Sequence, residues 1–172
     1  YKINKGPKNK PKPTYAGRNL TIFHAGEAYD RIEGVNEITI YQPARRQFTI
    51  FSEARMLATE ISFEKIHKIQ LDMDRQTREY IQFLKKKGDD SSLREAKTLE
   101  FQLLPQFLEK FDARKKKLTM SSNQYSYTVK TIAKVNPEIA RGYLEYADWM
   151  ARLNPLLHST AMFPAPRLQV NE

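Results

Sequence analysis

A chain of 172 residues with 40% apolar and 11% aromatic residues is long and apolar enough for one packed domain, and this composition excludes wholesale disorder. Cysteine is absent, which excludes structural disulfides, thiolate metal sites and a cysteine nucleophile. The net charge is +9, but residues 1–18 contribute six basic residues and no acid, so residues 19–172 carry 23 basic against 20 acidic residues. The positive excess therefore belongs mainly to the N-terminal segment.

The first predicted segment is a basic, proline-rich arm over residues 1–18. Residues 1–17 hold three Pro, two Gly and five Lys without apolar periodicity, which is typical of an extended linker. No apolar run in the chain is long enough to cross a bilayer, and lysines stand where a signal peptide has its apolar core. The chain begins with Tyr1 rather than Met, an observation compatible with a leader that precedes this sequence.

Short β-branched and aromatic runs follow the arm and predict an antiparallel meander. These runs lie at residues 20–23, 37–41 and 47–51, with a further strand near residues 56–61. Pro43 lies between the second and third runs and favours a hairpin turn there. Alternation places Ile38 and Ile40 on one face. Phe48 and Ile50 are expected together on the partner strand, as the cross-strand neighbours of these isoleucines.

Two helices are predicted next. The first covers residues 63–87, where apolar residues recur at spacings of three, four or seven and the helix ends in lysines followed by glycine. The second is capped within residues 90–92 and carries an apolar stripe as far as Phe111. A break in this helix is expected near Leu103, because Pro105 lacks the amide hydrogen that the helix needs.

A second hairpin and a last helix complete the prediction. Two strands within residues 116–130 are joined by a turn at Ser122. The last helix is capped by Asn136 and closes with Pro155, Leu156 and Leu157, and the apolar tail after residue 162 is expected to lie against the body. The fold class is therefore α+β. We expect residues 19–172 to form a single domain, an antiparallel sheet of about six or seven strands covered by three helices.

No motif for catalysis or for a cofactor is found in the sequence. Glu64 and His67 form one E-x-x-H step, whereas a carboxylate-bridged metal site needs a second step and further carboxylates. The glycines stand singly, without a phosphate-binding loop, and no G-x-S-x-G motif is present. No enzyme activity, metal or cofactor is therefore predicted. Ordinary solvated side chains explain the remaining acidic candidates, Asp72, Asp74, Asp89, Asp90 and Asp112.

Three groups of cations are candidates for binding an anion. They are the helix-end lysines Lys85, Lys86 and Lys87, the turn cations Arg114, Lys115, Lys116 and Lys117, and the arm lysines Lys8, Lys10 and Lys12. Helix-end lysines and charged turns are also common without any ligand. Tyr125 and Tyr127, which alternate along the predicted hairpin, offer faces on which nucleic-acid bases could stack, or a surface for helices to cover.

The segments LTMSSNQYSYTVKT, ARGYLEYADWMARLNPLL and MFPAPRLQVNE resemble the C-terminal half of an uncharacterised family of planctomycete-type bacterial proteins. The shared patterns are a hairpin L-T-x-S-S-x-x-x-x-Y-x-V and a helix that ends in D-W-x-A-R-L-N, and the resemblance covers about residues 117–172. It implies no known activity and therefore no catalytic residue, but it implies export to the periplasm or cell envelope. Trp149 and Leu153 are expected in the core, and Asp148 or Arg152 is expected to pair with polar groups at the sheet edge.

These observations favour a non-catalytic structural or interaction module, exported or envelope-associated, with a protein partner. One alternative is binding of a polyanion, namely nucleic acid, acidic polysaccharide or anionic lipid, through the arm and the lysine clusters. Another is a carrier of lipid or another apolar ligand, which predicts a cavity of about 300 Å³ or more lined by Phe and Ile. Three or more ionisable groups from distant segments that meet in a shielded cleft would instead indicate an active site.

Overall fold

A computed structural model of the chain describes residues 19–32, 34, 36–130, 136–158 and 161–171. This part of the chain contains eight strands and four α-helices, so the α+β class is confirmed. The strands are β1 (Asn19–His24), β2 (Glu27–Ile32), β3 (Glu37–Gln42), β4 (Gln47–Ser52), β5 (Leu57–Ser62), β6 (Leu108–Asp112), β7 (Lys117–Ser121) and β8 (Ser126–Lys130). The helices are α1 (Phe63–Lys87), α2 (Asp90–Leu103), α3 (Pro137–Leu157) and α4 (Pro164–Asn171). None of these helices is long and apolar enough to span a bilayer.

The strands form two sheets, whereas one sheet was expected. A five-stranded sheet has the order β1-β2-β3-β4-β5, and a three-stranded sheet has the order β6-β7-β8. Each strand pairs with its neighbour in sequence, because short turns favour local antiparallel pairing. The chain divides into two compact units, Tyr1–Glu60 and Ile61–Glu172. The interpretation of residues 19–172 as one domain stays a prediction.

The meander of the first unit packs one face around aromatic side chains. Tyr41 lies opposite Ala28 on β2 and Phe48 on β4, and all three are buried. The expectation that Ile38 and Ile40 face the side chains of Phe48 and Ile50 is wrong. The turn closes with Gln42 opposite Gln47, which pairs Ile40 with Thr49 and leaves the isoleucines on the other face. A shift of one residue in register exchanges the two faces of a strand. In this hairpin, the geometry of the turn fixes the register.

The predicted boundaries of α1 are confirmed. Ser62 Oγ accepts a hydrogen bond from the backbone N–H of Lys65 at 3.1 Å, which caps the first turn. Gly88 ends the helix at a φ of 75°, a left-handed conformation that glycine adopts without steric cost. The cap of α2 is one residue earlier than expected. It is Asp89, whose carboxylate accepts hydrogen bonds from the N–H of Ser92 at 2.9 Å and from its hydroxyl at 2.7 Å.

This cap predicts a pH dependence of stability. The hydrogen bonds from Ser92 lower the pKa of Asp89 from its ordinary value of 3.8 to about 2. A carboxylate with a lower pKa in the folded state contributes stability above the ordinary pKa and loses it as the pH falls toward the folded value. The Asp89→Asn variant keeps a capping side chain. We therefore expect its Tm to fall less than that of the unmodified protein between about pH 4 and pH 2. Asp90→Asn is the control, and an equal acid response of the two variants would contradict the assignment.

The apolar stripe of α2 ends at Leu103, as expected from Pro105, but the segment beyond it is not a second helical piece. It becomes β6, an extended strand that contains Phe111. Proline disfavours helical backbone for the residue before it, and Leu104 has a ψ of 77°. Leu108 and Phe111, counted toward a helical stripe, therefore lie on a strand.

The core of the second unit lies around α3. Leu153 is fully buried, and the ring of Trp149 stacks on Phe63 of α1 with centroids 3.8 Å apart. The cap at Asn136 is confirmed, since its side chain accepts from the N–H of Glu138 at 2.8 Å. The apolar tail forms α4, which packs against α3 and α2. Asp148 accepts a hydrogen bond from Asn171 Nδ2 of α4 at 2.8 Å, so its partner is a helix and not a sheet edge.

Candidate functional site

Two of the three helix-end lysines lie beside acidic side chains. Lys85 forms an ion pair with Glu100 of α2, and Lys87 Nζ lies 3.4 Å from Asp89 Oδ2. Exposed pairs of this kind contribute little to stability, but they bring an acid to each of the two lysines. Lys86 is exposed at the same helix end. Most of this cluster is therefore compensated within the α1–α2 hairpin.

Of the turn cations, Arg114, Lys115 and Lys116 lie between β6 and β7, and Lys117 is the first residue of β7. The backbone N–H of Lys115 donates to Asp112 Oδ1 at 3.1 Å, and this hydrogen bond is the main cause of the lowered pKa of Asp112. Lys115 Nζ also lies 3.6 Å from Asp112 Oδ2. Lys116 adopts a φ of 47°, which turns the chain tightly into β7. Arg114 and Lys115 are exposed at the tip of this turn, and the arm lysines lie outside the described residues.

The outer face of the three-stranded sheet carries lysines and hydroxyl groups from all three strands. Lys110 on β6 lies opposite Thr119 on β7, which lies opposite Thr128 on β8. One step along the strands, Lys117 lies opposite Lys130. Because side chains alternate between the two faces of a strand, these five residues share one face. We call this surface the basic sheet face.

The inner face of the same sheet is occupied by packed aromatic rings. Tyr125, which precedes β8, stacks on Phe101 of α2 with ring centroids 5.5 Å apart. Tyr127 meets Phe107 edge to face at 5.6 Å. Met120 on β7, opposite Tyr127, is buried. Both tyrosine rings pack against other aromatic rings. Packing inside the protein therefore explains these residues better than stacking on nucleic-acid bases does.

Charge is concentrated on this small sheet. Residues 108–130 contain six basic and two acidic residues, a net charge of +4. The remainder of residues 19–172 contains 17 basic and 18 acidic residues. The net charge of residues 19–172 is therefore small only as an average, because the excess of basic residues lies on β6, β7, β8 and their turns.

A cavity of about 170 Å³ lies among the helices of the second unit. We call it the four-helix cavity, because α1, α2, α3 and the α4 segment all line it. Its polar wall consists of His67, Gln70, Asp74, Gln102 and Arg152, and its apolar wall of Leu71, Leu103, Phe163, Pro164, Ala165 and Leu168. Two hydrogen bonds hold the wall. Gln70 Nε2 donates to the carbonyl of Arg152 at 2.9 Å, and the N–H of Phe163 donates to Gln102 Oε1 at 3.3 Å.

Asp74 is an exception to the interpretation of the acids as ordinary solvated side chains. Its partial burial raises its pKa, although Arg78 opposes this shift. Asp72, two residues earlier, is exposed and lies 3.4 Å from Arg75. The two carboxylates of the D-M-D step thus point to different faces, as expected, and Asp74 is less exposed than Asp72. Partial burial removes part of the water around the Asp74 carboxylate, which disfavours its charged form.

Arg152 belongs to the wall of the four-helix cavity, where its backbone carbonyl accepts the hydrogen bond from Gln70. Its guanidinium lies 5.7 Å from the centroid of the Trp149 ring. Arg152 and Asp74 line the same cavity, yet the described residues contain no ion pair that includes either of them. His67 lines the cavity as well, but it is exposed and lies on the same helix as Asp74. These residues therefore do not form the shielded cleft of groups from distant segments that would indicate an active site.

The two residues of the E-x-x-H step, Glu64 and His67, are both exposed on α1. Within the residues that the structure describes, no group of three or more His, Asp or Glu side chains converges in a geometry suited to a metal ion.

Two larger grooves flank the α1–α2 hairpin. One of about 450 Å³ is lined by Ile81 and Phe101 but also by Arg78, Gln82 and Glu100. The other measures about 320 Å³ and lies beside Met73, Tyr80 and Glu95 among others. Both are of the size expected for a carrier, but their walls mix charged and apolar groups. The carrier hypothesis stays a prediction.

Two signals for these sites were present in the sequence. His67, Gln70, Leu71 and Asp74 have the spacing i, i+3, i+4, i+7, which places them on one helix face. Along β8, Ser126, Thr128 and Lys130 alternate with Tyr127 and Val129. The partners of these residues on other elements had no sequence signal, because α1 meets α3, and β7 pairs with β6 and β8, only after folding.

Comparison with known proteins gives no assignment: no protein-family model, no curated protein and no solved structure matches this chain. The resemblance to a planctomycete-type family therefore stays a prediction.

Proposed function

We propose that this protein is a binding module for a linear acidic polymer, which it contacts through the basic sheet face. The observation that supports this most directly is the pairing of Lys117 with Lys130 across β7 and β8. Like charges directly opposite each other destabilise a sheet. Asp112, the other neighbour of Lys117, is already engaged by Lys115. Asp112 is thus shared by two lysines, and a polyanion would supply further negative charge to the Lys117–Lys130 pair.

The spacing of the face suits a charged polymer. Neighbouring strands lie about 4.8 Å apart, and residues on one face of a strand recur at about 6.7 Å, so the lysines form a grid of closely spaced charges. Thr119 and Thr128 add hydroxyl donors for phosphate, sulfate or carboxylate oxygens. The described part of this face carries no aromatic ring. The contact would therefore read the charge of a polymer backbone, as in nucleic acids and acidic polysaccharides, without stacking on bases.

A membrane surface fits less well than a polymer. Membrane docking by a basic element usually adds apolar side chains that insert together into the lipid. Leu108 is 75% exposed and Phe111 is 60% exposed on β6, but their odd spacing points them to opposite faces of the strand. They cannot enter one bilayer surface together while the lysines lie flat on it.

The test is a salt titration of binding by the full chain and two charge-matched variants. Duplex DNA and heparin are the polymer probes, and vesicles with anionic lipid represent the membrane. The first variant carries Lys110→Gln, Lys117→Gln and Lys130→Gln. The second carries Lys85→Gln, Lys86→Gln and Lys87→Gln. Each loses three charges and keeps the arm, so the contribution of the arm cancels in the comparison.

We expect the sheet variant to lower the slope of log affinity against log salt by about three for DNA, because each neutralised phosphate contact contributes about one. For three such phosphate contacts, DNA binding weakens roughly 40-fold when the salt concentration rises about fourfold. The helix-end variant should change the slope by less than about one. Equal losses in the two variants, or vesicle binding without polymer binding, would contradict the proposal.

A further inference from the structure

Among the residues that the structure describes, four strands lie at sheet edges, and β1 differs from the other three. β5 contains Glu60, β6 contains Lys110 among other charged residues, and β8 contains Lys130. β1 contains no Asp, Glu, Lys or Arg and no proline. Natural sheets use charges and prolines to prevent an open edge from pairing with another strand. β1 has neither form of protection.

The outer edge of β1 is regular. All six residues of β1 pair with β2 in one continuous antiparallel register, from Asn19 opposite Ile32 to His24 opposite Glu27, so no bulge bends the strand. No other strand of the described residues pairs with β1. This edge therefore has the straight geometry that a further strand needs.

The turn after β1 determines which backbone groups point outward. Ala25 and Gly26 have φ values of 50° and 79°, and in a two-residue hairpin of this kind the residues that flank the turn exchange hydrogen bonds. Hydrogen-bonded and non-hydrogen-bonded positions alternate along an antiparallel pair. Thr21, three residues before His24, therefore directs its backbone N–H and C=O away from β2.

The side chains of β1 bring an apolar strip to the same edge. Leu20 is 61% exposed and Ile22 is 52% exposed. Ile22 lies opposite Tyr29 on β2, which lies opposite Ile40 on β3, so these side chains share one face. A strand added with apolar residues at this position would extend the strip and cover its exposed end.

We propose that the added strand is β1 of a second copy of this chain, in antiparallel register about a twofold axis at Thr21. Thr21 then lies opposite Thr21 of the other copy, and the outward backbone groups of the two residues meet. Leu20 lies opposite Ile22 of the other copy on the apolar face, and Ile22 opposite its Leu20. A shift of one residue would lose both matches. Because β1 has no charged residue at pH 7, no like charges meet across this contact.

The first test is sedimentation equilibrium of the full chain without any polymer. One strand pair buries little surface, so we expect a weak dimer with a dissociation constant of about 10–300 µM. Ile22→Lys should weaken the dimer at least about tenfold, since it places a charge at the edge. Phe83→Lys is the control, because Phe83 is 60% exposed on α1 and the variant adds the same charge. Equal Tm values of the two variants would show that both are folded.

Salt separates this contact from the binding of a polymer by the basic sheet face. Each copy has a net charge of +9, so screening should leave the dimer unchanged or strengthen it, whereas polymer binding weakens with salt. A chain that is monomeric at about 1 mM, as expected if another protein supplies the strand, would overturn the proposal. A dimer that dissociates with salt, or one that Phe83→Lys weakens as much as Ile22→Lys, would overturn it as well.

The second test determines the register, and the absence of cysteine from the chain makes it clean. A mixture of the Leu20→Cys and Ile22→Cys variants places two thiols directly opposite each other, with Cα atoms about 4.5 Å apart, which suits a disulfide. In either variant alone the thiols are diagonal neighbours about 7–8 Å apart, which is too far. We expect oxidation to cross-link the mixture several times faster than either variant. Equal rates in the three samples would contradict the twofold axis at Thr21.

Discussion

Replacement of Phe63 by alanine is expected to lower the free energy of unfolding by about 3–5 kcal/mol. Phe63 is 5% exposed at the first position of α1, and its ring stacks on Trp149 of α3 at a centroid distance of 3.8 Å. The substitution removes a buried ring and the aromatic contact between two helices. Domains of this size are typically stable by about 5–15 kcal/mol, so the loss is a large fraction of the total.

Trp149 provides the measurement for this variant, since it is the only tryptophan in the chain. Denaturant unfolding followed by tryptophan fluorescence should show a lower midpoint, and the folded spectrum should change because the stacked neighbour is gone. Phe83→Ala is the matched control on the same helix. Phe83 is 60% exposed, and its loss should change stability by no more than about 0.5 kcal/mol. A loss below about 1 kcal/mol for Phe63→Ala would show that this contact does not hold α1 to α3.

Replacement of Phe48 by alanine is expected to have an effect of similar size in the first unit, about 3–5 kcal/mol. Phe48 is fully buried on β4, with its ring centroid 5.4 Å from that of Tyr41 on β3. The remaining cavity would lie in the middle of the five-stranded sheet, where the neighbouring strands cannot collapse into it without losing register. Ile22→Ala is the control, because Ile22 is 52% exposed on β1.

The same variant tests the prediction that residues 19–172 form a single domain. In one cooperative domain, the Phe48→Ala variant should shift the transitions seen by circular dichroism and by Trp149 fluorescence together. A fluorescence transition at its original midpoint, with an earlier loss of sheet signal, would show that the two compact units unfold independently.

Local signals predicted most of the elements, because caps and breakers act over a few residues. Ser62, Gly88 and Asn136 mark helix ends through side-chain or left-handed geometry that depends on one turn of chain. Pro105 correctly predicts the end of α2. The strand after it was missed because Leu108 and Phe111 also fit a helical spacing, and a short apolar run does not distinguish the two periods.

The sites were harder to predict than the elements. The turn cations are adjacent in sequence and therefore visible as a group. The lysines of the basic sheet face come together only through the cross-strand register, which cannot be read from the sequence. Lys110 and Lys130 are 20 residues apart and share a face only through β7. Asp74 was missed for a related reason. Its partial burial depends on packing against other helices, and a charged residue is usually solvated.

In the three-stranded sheet, the side chains of the basic sheet face and the side chains of the packed face are next to each other in the sequence. In β7 and β8 each side chain that packs against the helices is adjacent to one that faces outward. Insertion or deletion of a single residue in either strand would direct lysines into the aromatic cluster and expose the rings. The charges themselves can be exchanged one at a time without disturbing the interior. This sheet can therefore change its ligand by point substitution, but it has almost no tolerance for a change in length.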